Sequence, residues 1–163
     1  MLAPPANVTV PEPMSAFTPA DPDFAERIRD SFAKQRIMAL IGAELVEVAP
    51  GRCRIRLPFR DDLTQQNGFF HAGVTSTIAD SAGGYAGYTL MPARSDVLTV
   101  EFKINLLRPA AGAMLLAEGR VVRAGRNLTF TEVSVDAGDG AAMKVCASMS
   151  QTLACVSRTG SES

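Results

Sequence analysis

The sequence predicts one α+β domain, in which an antiparallel sheet wraps around a single long helix. Three observations predict this fold class. A stretch without Pro from His71 to Met91 has the apolar period of a helix, a hairpin pattern precedes it, and four strand-like segments follow it. Short connections favour antiparallel strands, and such a sheet must curl around the helix to cover its apolar stripe.

The composition is that of one globular domain. The chain has 163 residues, of which 47% are hydrophobic, so it can bury one core. We assign residues 23–155 to this domain, residues 1–22 to a flexible Pro-rich arm and residues 156–163 to a polar tail. A net charge of −1 and the lack of a long apolar span give no reason to expect a nucleic-acid or membrane partner. Three Cys without metal-ligand spacing indicate reduced thiols in a cytoplasmic protein, and no cofactor is expected.

The segments before the long helix predict an extra helix and a hairpin. Residues 23–41 mix apolar and charged side chains at helical spacing, which indicates an amphipathic surface helix that ends at Gly42. Residues 43–48 and 52–57 flank an Ala-Pro-Gly turn. In the second of these segments apolar residues alternate with three arginines, which predicts a hairpin with one solvated face.

Four strands are expected after the long helix. Residues 99–106 have the clearest alternation, with Val100, Phe102, Ile104 and Leu106 on one face. Residues 114–123, 127–136 and 141–153 follow as three more strands joined by short Gly-containing turns, so we expect a four-strand meander. The buried face of the last strand is expected to consist of Met143, Val145, Ala147 and Met149.

One acidic residue, Asp80, lies within the long helix but off its apolar stripe. The stripe consists of Val74, Ile78, Ala82 and Tyr85. The helical neighbours of Asp80 are all small: Ser76, Thr77, Gly83, Gly84 and Gly87. Each interior Gly costs about 1 kcal/mol relative to Ala, so another helix or a ligand must approach this face closely, and the carboxylate favours the ligand. The alternative, a solvated Asp80, fits poorly with its apolar flanking residues.

The only His of the chain, His71, precedes Asp80 by nine positions. Along a helix the two would be about 13 Å and about half a rotation apart. If both belong to one site, Asp80 of one subunit must meet the helix N-terminus of another, as antiparallel pairing of two such helices in a symmetric dimer allows. The sequence therefore predicts a homodimer or a tetramer, with a site shared between chains.

The stretch from Gln65 to Gly84 and the order of elements resemble the hotdog thioesterases of the phenylacetic-acid-degradation (PaaI-like) type, over about residues 40 to 155. The specific marks are Gly68 three residues before His71, His71-Ala72-Gly73 where the family usually has His-Gly-Gly, Asp80 nine residues after the His, and Leu107-Arg108-Pro109-Ala110 at the end of the next strand. The resemblance implies a hotdog fold and hydrolysis of an acyl-CoA thioester.

The resemblance also implies a role for each matching residue. Asp80 corresponds to the catalytic carboxylate, acting as general base or as nucleophile. The backbone N–H of Ala72, beside Gly73, corresponds to the oxyanion donor at the helix N-terminus. Gln65 and Thr99 correspond to residues that orient the attacking water or the thioester. His71 would brace the turn and not accept the proton. The Ala at position 72 keeps the amide but tolerates fewer backbone angles than the usual Gly.

Further residues are assigned to substrate binding. Asn67, Gly68 and Gly84 lie beside the catalytic residues in the sequence. Three arginines at strand ends could bind the phosphates of CoA through their guanidinium groups, although surface solvation explains them nearly as well. They are Arg108, Arg123 and Arg126.

Two other functions remain open at this point. A hotdog hydratase or dehydratase would use His71 directly as an acid-base catalyst on an enoyl substrate. A non-catalytic acyl-CoA binding protein would use Asp80 only as a polar contact. The sequence does not decide between an aryl and a medium-chain acyl group.

Overall fold

The computed structural model describes residues 17–157. The first 16 residues of the predicted arm and residues 158–163 of the predicted tail lie outside the described range. The helices are α1 (Phe24–Lys34), α2 (Arg36–Ile41) and α3 (Ala72–Tyr88), with one 3-10 turn at Asp61–Leu63. The strands are β1 (Glu44–Ala49), β2 (Arg52–Pro58), β3 (Ser95–Leu106), β4 (Met114–Ala124), β5 (Leu128–Gly138) and β6 (Lys144–Ser157).

The predicted α+β architecture is confirmed. Six antiparallel strands form one sheet in the order β1-β2-β4-β5-β6-β3, and α3 packs against its concave face. The predicted apolar stripe of α3 is buried, since Ile78 and Ala82 are fully covered and Tyr85 nearly so. A long helix wrapped by an antiparallel sheet is the hotdog fold, and the core lies between the two.

The predicted four-strand meander is wrong for its first strand. Only β4, β5 and β6 follow one another in the sheet, whereas β3 pairs with β6 at the far edge and β4 pairs with β2. The connection at residues 107–113 has seven residues, which can span up to about 24 Å, and it needs to cross only three strand spacings, about 14 Å. A short connection therefore does not require its two strands to be neighbours.

A β-bulge interrupts the predicted alternation of β3. Thr99 pairs with Leu153, whereas Phe102 pairs with Gln151, and the register shifts between Thr99 and Glu101. Because directly paired residues share a face of the sheet, Thr99 and Phe102 both face α3. Strict alternation had placed them on opposite faces.

The predicted buried face of β6 is correct only in part. Ala147 and Met149 are buried, but Val145 is exposed and the adjacent Cys146 is buried in its place. The register between β5 and β6 shifts at Val135, which reverses the inward and outward positions at the start of β6.

The N-terminal helix predicted over residues 23–41 is two helices. The chain is extended at Gln35, which separates α1 from α2, and α2 ends at Gly42 in the left-handed conformation as expected. Arg27 of α1 donates hydrogen bonds to the Tyr88 and Met91 carbonyls at the C-terminal end of α3, at 3.3 and 2.9 Å. A cation at this end is favourable because of the helix dipole, and it fixes α1 beside α3.

Residues on both sides of the range 23–155 make contacts with the folded part of the chain. Phe17 packs against the core and covers Gly51, and Asp21 is buried in an ion pair with Arg27 at 2.9 Å. At the other end, β6 continues to Ser157, which pairs with Ser95.

The side chains of the hairpin and the cysteines have structural roles. The outward-facing arginines of β2 form ion pairs with Glu44, Glu47 and Glu118, so the predicted polar strand face is a salt-bridged one.

Burial raises the pKa of the Cys53 thiol to about 12 and that of Cys146 to about 11, which keeps both thiols protonated at neutral pH. Within residues 17–157, no helix is long and apolar enough to cross a membrane.

Candidate active site

Asp80 lies halfway along α3, and two residues of the sheet hold its side chain. The Thr99 hydroxyl donates a hydrogen bond to Asp80 Oδ1 at 2.8 Å, and Gln151 Nε2 donates to the same oxygen at 2.5 Å. Gln151 Nε2 also lies 3.1 Å from Thr99 Oγ1, so the three side chains form one network. The bulge in β3 makes this possible, because it turns Thr99 toward the helix.

The second carboxylate oxygen of Asp80 is free to react. Among the described residues, Asp80 Oδ2 has no hydrogen-bond partner, whereas Oδ1 has two. An oxygen in this state can accept a proton from water or attack a carbonyl carbon, because its lone pairs are not already committed to donors. Asp80 is half-buried, so substrate can reach it.

A cleft of about 300 Å³ opens in front of Asp80, and we call it the carboxylate cleft. It is lined by Ser31, Gln35, Asp80, Ser81, Gly84, Tyr85, Tyr88, Asp96, Val97, Leu98 and Thr99. Its roof comes from the junction of α1 and α2, where Ser31 Oγ lies 3.2 Å from the Tyr85 hydroxyl. Burial raises the pKa of Tyr85, so this hydroxyl stays protonated and can hydrogen bond to a ligand.

The small residues around Asp80 serve two different purposes. A Cβ on Gly83 would overlap Gln151 Oε1, and a Cβ on Gly87 would overlap Leu153, so these two glycines let the sheet approach α3. A Cβ on Gly84 would have nothing within 4 Å. Gly84 is therefore not needed for packing, and it leaves open space in the carboxylate cleft.

Within residues 17–157, the N-terminal end of α3 presents one backbone donor that has no partner. His71 is the N-cap residue, and its Nδ1 accepts a hydrogen bond from the Gly73 N–H at 2.9 Å. The His71 side chain thus caps the first turn of α3. The N–H of Ala72 has no acceptor among the described residues and points from the first turn of the helix. Such an orphan amide at a helix N-terminus is a ready donor for an anion.

The conformations of Ala72 and Gly73 are ordinary. Within residues 17–157, no residue other than Gly has a positive φ, and Gly73 is not among the glycines that have one. Ala72 therefore adopts a conformation open to any residue. At Gly73, a Cβ would lie 3.0 Å from His71 Nδ1, so Gly is favoured there because the His71 ring needs the space.

The loop before α3 folds back on itself beside Ala72. The Gln65 carbonyl accepts a hydrogen bond from the Gly68 N–H at 3.0 Å, and the Gln65 side-chain oxygen accepts one from the Asn67 N–H. Gly68 has a φ of 80°, which explains why Gly stands there. The turn leaves the side-chain amide group of Gln65 available as a donor.

A second cleft, of about 470 Å³, lies at this end of the molecule, and we call it the amide cleft. Its lining residues are Gln65, Asn67, Phe69, Phe70, Ala72, Thr75, Leu106, Leu107, Arg108, Pro109, Ala110 and Cys146. The Phe70 N–H donates to the Ala110 carbonyl at 3.0 Å, which joins the loop before α3 to the loop after β3.

The three arginines assigned to the phosphates of CoA do not lie together within one chain. Arg108 lines the amide cleft, near the start of β4. Arg123 and Arg126 lie at the other end of β4, about 30 Å along the strand from Met114. The sequence placed all three at strand ends, but it did not specify which ends meet.

Apart from Arg123 and Arg126, the predicted site residues lie at two places in the chain. Asp80, Thr99 and Gly84 belong to the carboxylate cleft, whereas Gln65, Ala72 and Arg108 belong to the amide cleft. Eight residues of helix separate Ala72 from Asp80, a rise of about 12 Å. A thioester carbonyl is too small to contact both groups of one chain at once.

Gln151 is the residue of this site that the sequence reasoning missed. It lies between Met149 and Leu153 on the inward face of β6 and is only 2% exposed. The signal was a single polar residue at an inward position of a strand, where buried polar groups need a partner. Its partners Thr131, Thr99 and Asp80 lie 20, 52 and 71 residues away in the sequence, so the sequence did not reveal them. Among the described residues, no group of three or more His, Cys, Asp or Glu could hold a metal ion.

Comparisons with known proteins agree with this picture. The family model of the Thioesterase superfamily matches residues 67–144, which include α3 and Asp80. A thioesterase family protein from Silicibacter pomeroyi has a crystal structure with a TM-score of 0.81 to this chain and 42% sequence identity, covering 82% of this chain and 98% of that one. The fold and the superfamily match together define a hotdog hydrolase.

Two further proteins are similar to this chain, the first in sequence and the second in fold. A Halobacterium salinarum protein provisionally named as an esterase is 31% identical over 121 residues, which are 71% of this chain and 80% of that protein. The Escherichia coli PaaI protein from the phenylacetic acid degradation operon shares the fold, with a TM-score of 0.72 at 15% identity, over 85% of this chain and 94% of its own. The chain belongs to the thioesterase superfamily and is a thioester hydrolase.

Proposed function

We propose that the chain hydrolyses an acyl-CoA thioester at a site that two subunits share. The observation that carries this proposal is the division of the site into two clefts. One cleft holds a fixed carboxylate with a free oxygen, and the other holds an unpaired amide at a helix N-terminus. Acyl transfer to water requires both groups, the carboxylate as the base and the amide as the donor to the oxyanion.

The two halves supply complementary steps. Asp80 Oδ2 takes a proton from water, and the water oxygen attacks the carbonyl carbon of the thioester. The carbonyl oxygen becomes negative and is stabilised by the Ala72 N–H and the dipole of α3. The intermediate then breaks its C–S bond, CoA leaves as the thiol after taking up the proton, and the free acid remains. Direct attack by Asp80, followed by hydrolysis of the anhydride, uses the same groups.

The exposed edge of β3 supports a second copy of the chain as the partner. Phe102 and Leu106 face the concave side but are 44% and 56% exposed, although their paired residues Gln151 and Ala147 are buried. An edge strand of 12 residues with exposed apolar side chains is a ready surface for pairing with another strand. Antiparallel pairing of two β3 strands about a two-fold axis would set the carboxylate cleft of one chain against the amide cleft of the other.

The same pairing would bring the three arginines to one end of the dimer. Arg108 of one subunit lies at the end of the sheet where Arg123 and Arg126 of the other subunit would arrive. Guanidinium groups bind phosphates in bidentate geometry, so this end of the dimer suits the nucleotide part of CoA. The acyl group then extends toward Asp80 and the carboxylate cleft.

Gly84 is expected to set the length of the acyl group. Gly84→Val should place a branched side chain in the open part of the carboxylate cleft, since a Cβ at this position meets no atom within 4 Å. We expect kcat/KM to fall about tenfold or more for aryl and medium-chain substrates and to change little for acetyl-CoA. A series of acyl-CoA thioesters of increasing length measures this, with acetyl-CoA as the internal control. An equal loss at every length would contradict the assignment of the acyl end to this cleft.

The function itself is tested by release of free CoA thiol from a panel of aryl- and alkyl-CoA thioesters. The proposal predicts turnover with at least one member. Tight acyl-CoA binding without thiol release would instead indicate a binding protein. Hydration of an enoyl-CoA that is lost in His71→Ala, with no thiol release, would indicate a hydratase.

A further inference from the structure

Gln151 occupies a position where the core would otherwise be apolar. It lies on β6 between Met149 and Leu153, is 2% exposed, and does not line the carboxylate cleft. A buried amide is costly unless its polar atoms are paired, so its contacts indicate what it is for.

The side-chain nitrogen of Gln151 is directed at the Asp80 site, and its side-chain oxygen is directed at Thr131. Nε2 lies 2.5 Å from Asp80 Oδ1, 3.1 Å from Thr99 Oγ1 and 3.2 Å from the Asp80 carbonyl oxygen. On the other side, the Thr131 hydroxyl donates to Gln151 Oε1 at 3.1 Å. An ionised carboxylate only accepts hydrogen bonds, so the amide must present its nitrogen to Asp80 and its oxygen to Thr131.

The backbone of α3 is shaped to admit this side chain. A Cβ on Gly83 would overlap Gln151 Oε1 and would lie 3.0 Å from Thr131 Oγ1. Gly83 therefore provides the space that the amide occupies, at the cost of a glycine inside a helix. The helix, β3, β5 and β6 each contribute one part of this arrangement.

We propose that Gln151 is a positioning residue that fixes Asp80 Oδ1 and thereby directs Oδ2 into the carboxylate cleft. This inference rests on the proposed function of Asp80. Gln151 does not reach the substrate, so it acts through Asp80. Without it, Oδ1 keeps only the Thr99 hydroxyl, and the carboxylate can rotate about its terminal bond away from the attacking geometry.

Two substitutions test this role. Gln151→Met keeps the length and buried volume of the side chain but removes its donors. We expect kcat to fall about 10-fold to 100-fold with KM within about twofold, because orientation of the reacting group and not binding of substrate is lost. Thr131→Val removes only the hydroxyl that orients the amide, and we expect a loss of about threefold to tenfold in kcat in the same direction.

Thr129→Val is the matched control for Thr131→Val. Thr129 is also buried on the inward face of β5, two residues away, and has no hydrogen bond to Gln151 or Asp80 among the described residues. It should leave kcat and KM unchanged.

Asp80→Ala is measured beside these variants. Suppose that Asp80→Ala loses turnover, whereas Gln151→Met and Thr131→Val both fold and keep kcat within twofold of wild type. That result overturns the role of Gln151 and leaves the proposed function standing. Normal turnover in Asp80→Ala overturns the proposed function as well. If Gln151→Met does not fold, the comparison of kcat between Thr131→Val and Thr129→Val decides the question. A lower kcat in Thr131→Val supports the role of Gln151, and an equal kcat overturns it.

Discussion

Asp80→Ala is expected to lower kcat by about 10³-fold while the protein stays folded and keeps its oligomeric state. Thr99 and Gln151 hold Asp80 Oδ1, whereas Oδ2 accepts no hydrogen bond among the described residues, and the proposed mechanism depends on this second oxygen. Removing the side chain should cost little stability. In the variant, Gln151 Nε2 still has two hydrogen-bond acceptors, the backbone carbonyl oxygen of residue 80 at 3.2 Å and Thr99 Oγ1 at 3.1 Å. No buried donor is therefore left unpaired.

The measurement is steady-state thiol release with the best substrate of the panel, together with thermal unfolding and the elution volume on size exclusion. Asp96→Ala, in the same cleft but outside the network of Thr99 and Gln151, is the control and should retain turnover within a fewfold. Near-normal turnover in Asp80→Ala would remove the carboxylate mechanism.

Ala72→Pro is expected to lower kcat by about 10² to 10³-fold, the effect of removing one oxyanion donor. Proline deletes the backbone N–H at this position and is favoured as the first residue of a helix, so α3 should form normally. The preceding His71 has φ −65° and ψ 139°, the extended conformation that a residue before proline requires. The N–H that is removed has no acceptor among the described residues, so no structural hydrogen bond is lost.

Ala72→Gly is the matched control for Ala72→Pro. It keeps the amide and introduces Gly, which the PaaI-like thioesterases usually have at this position, so turnover should stay within a fewfold of wild type. Circular dichroism checks that both variants keep their helix content. If Ala72→Pro folds and turns over normally, the oxyanion is stabilised by another group.

The sequence was sufficient for the elements whose patterns are local. The long helix followed from the apolar period and the lack of Pro between His71 and Met91, and the β1-β2 hairpin followed from its turn and its alternation. The candidate carboxylate followed from an acid among small residues on an otherwise apolar helix. These signals depend on neighbours within about ten residues, which a sequence displays directly.

The features that the sequence did not reveal depend on partners far along the chain. The place of β3 at the sheet edge depends on pairing with β6, about 50 residues later. The bulge that turns Thr99 toward Asp80 is defined only against that partner strand. Gln151 was visible as a polar residue on an apolar strand face, but its contact with Asp80, 71 residues away, was not. The glycines beside Asp80 looked alike, although Gly83 admits Gln151 and Gly84 faces the cleft.

A site shared by two chains is the central claim, and mixing two inactive variants tests it most directly. Asp80→Ala lacks the carboxylate but keeps the amide, and Ala72→Pro lacks the amide but keeps the carboxylate. In a mixed dimer, one of the two sites receives Asp80 from one subunit and the Ala72 amide from the other, and it is complete.

The measurement is thiol release after the two variants are unfolded together in equal amounts and refolded, with each variant refolded alone as the control. Random pairing makes half of the dimers mixed, with one complete site of two in each, so activity should return to about a quarter of the wild-type value. Activity that stays at the level of the separate inactive variants, with mixed dimers present, would place the whole site within one chain and contradict the proposal.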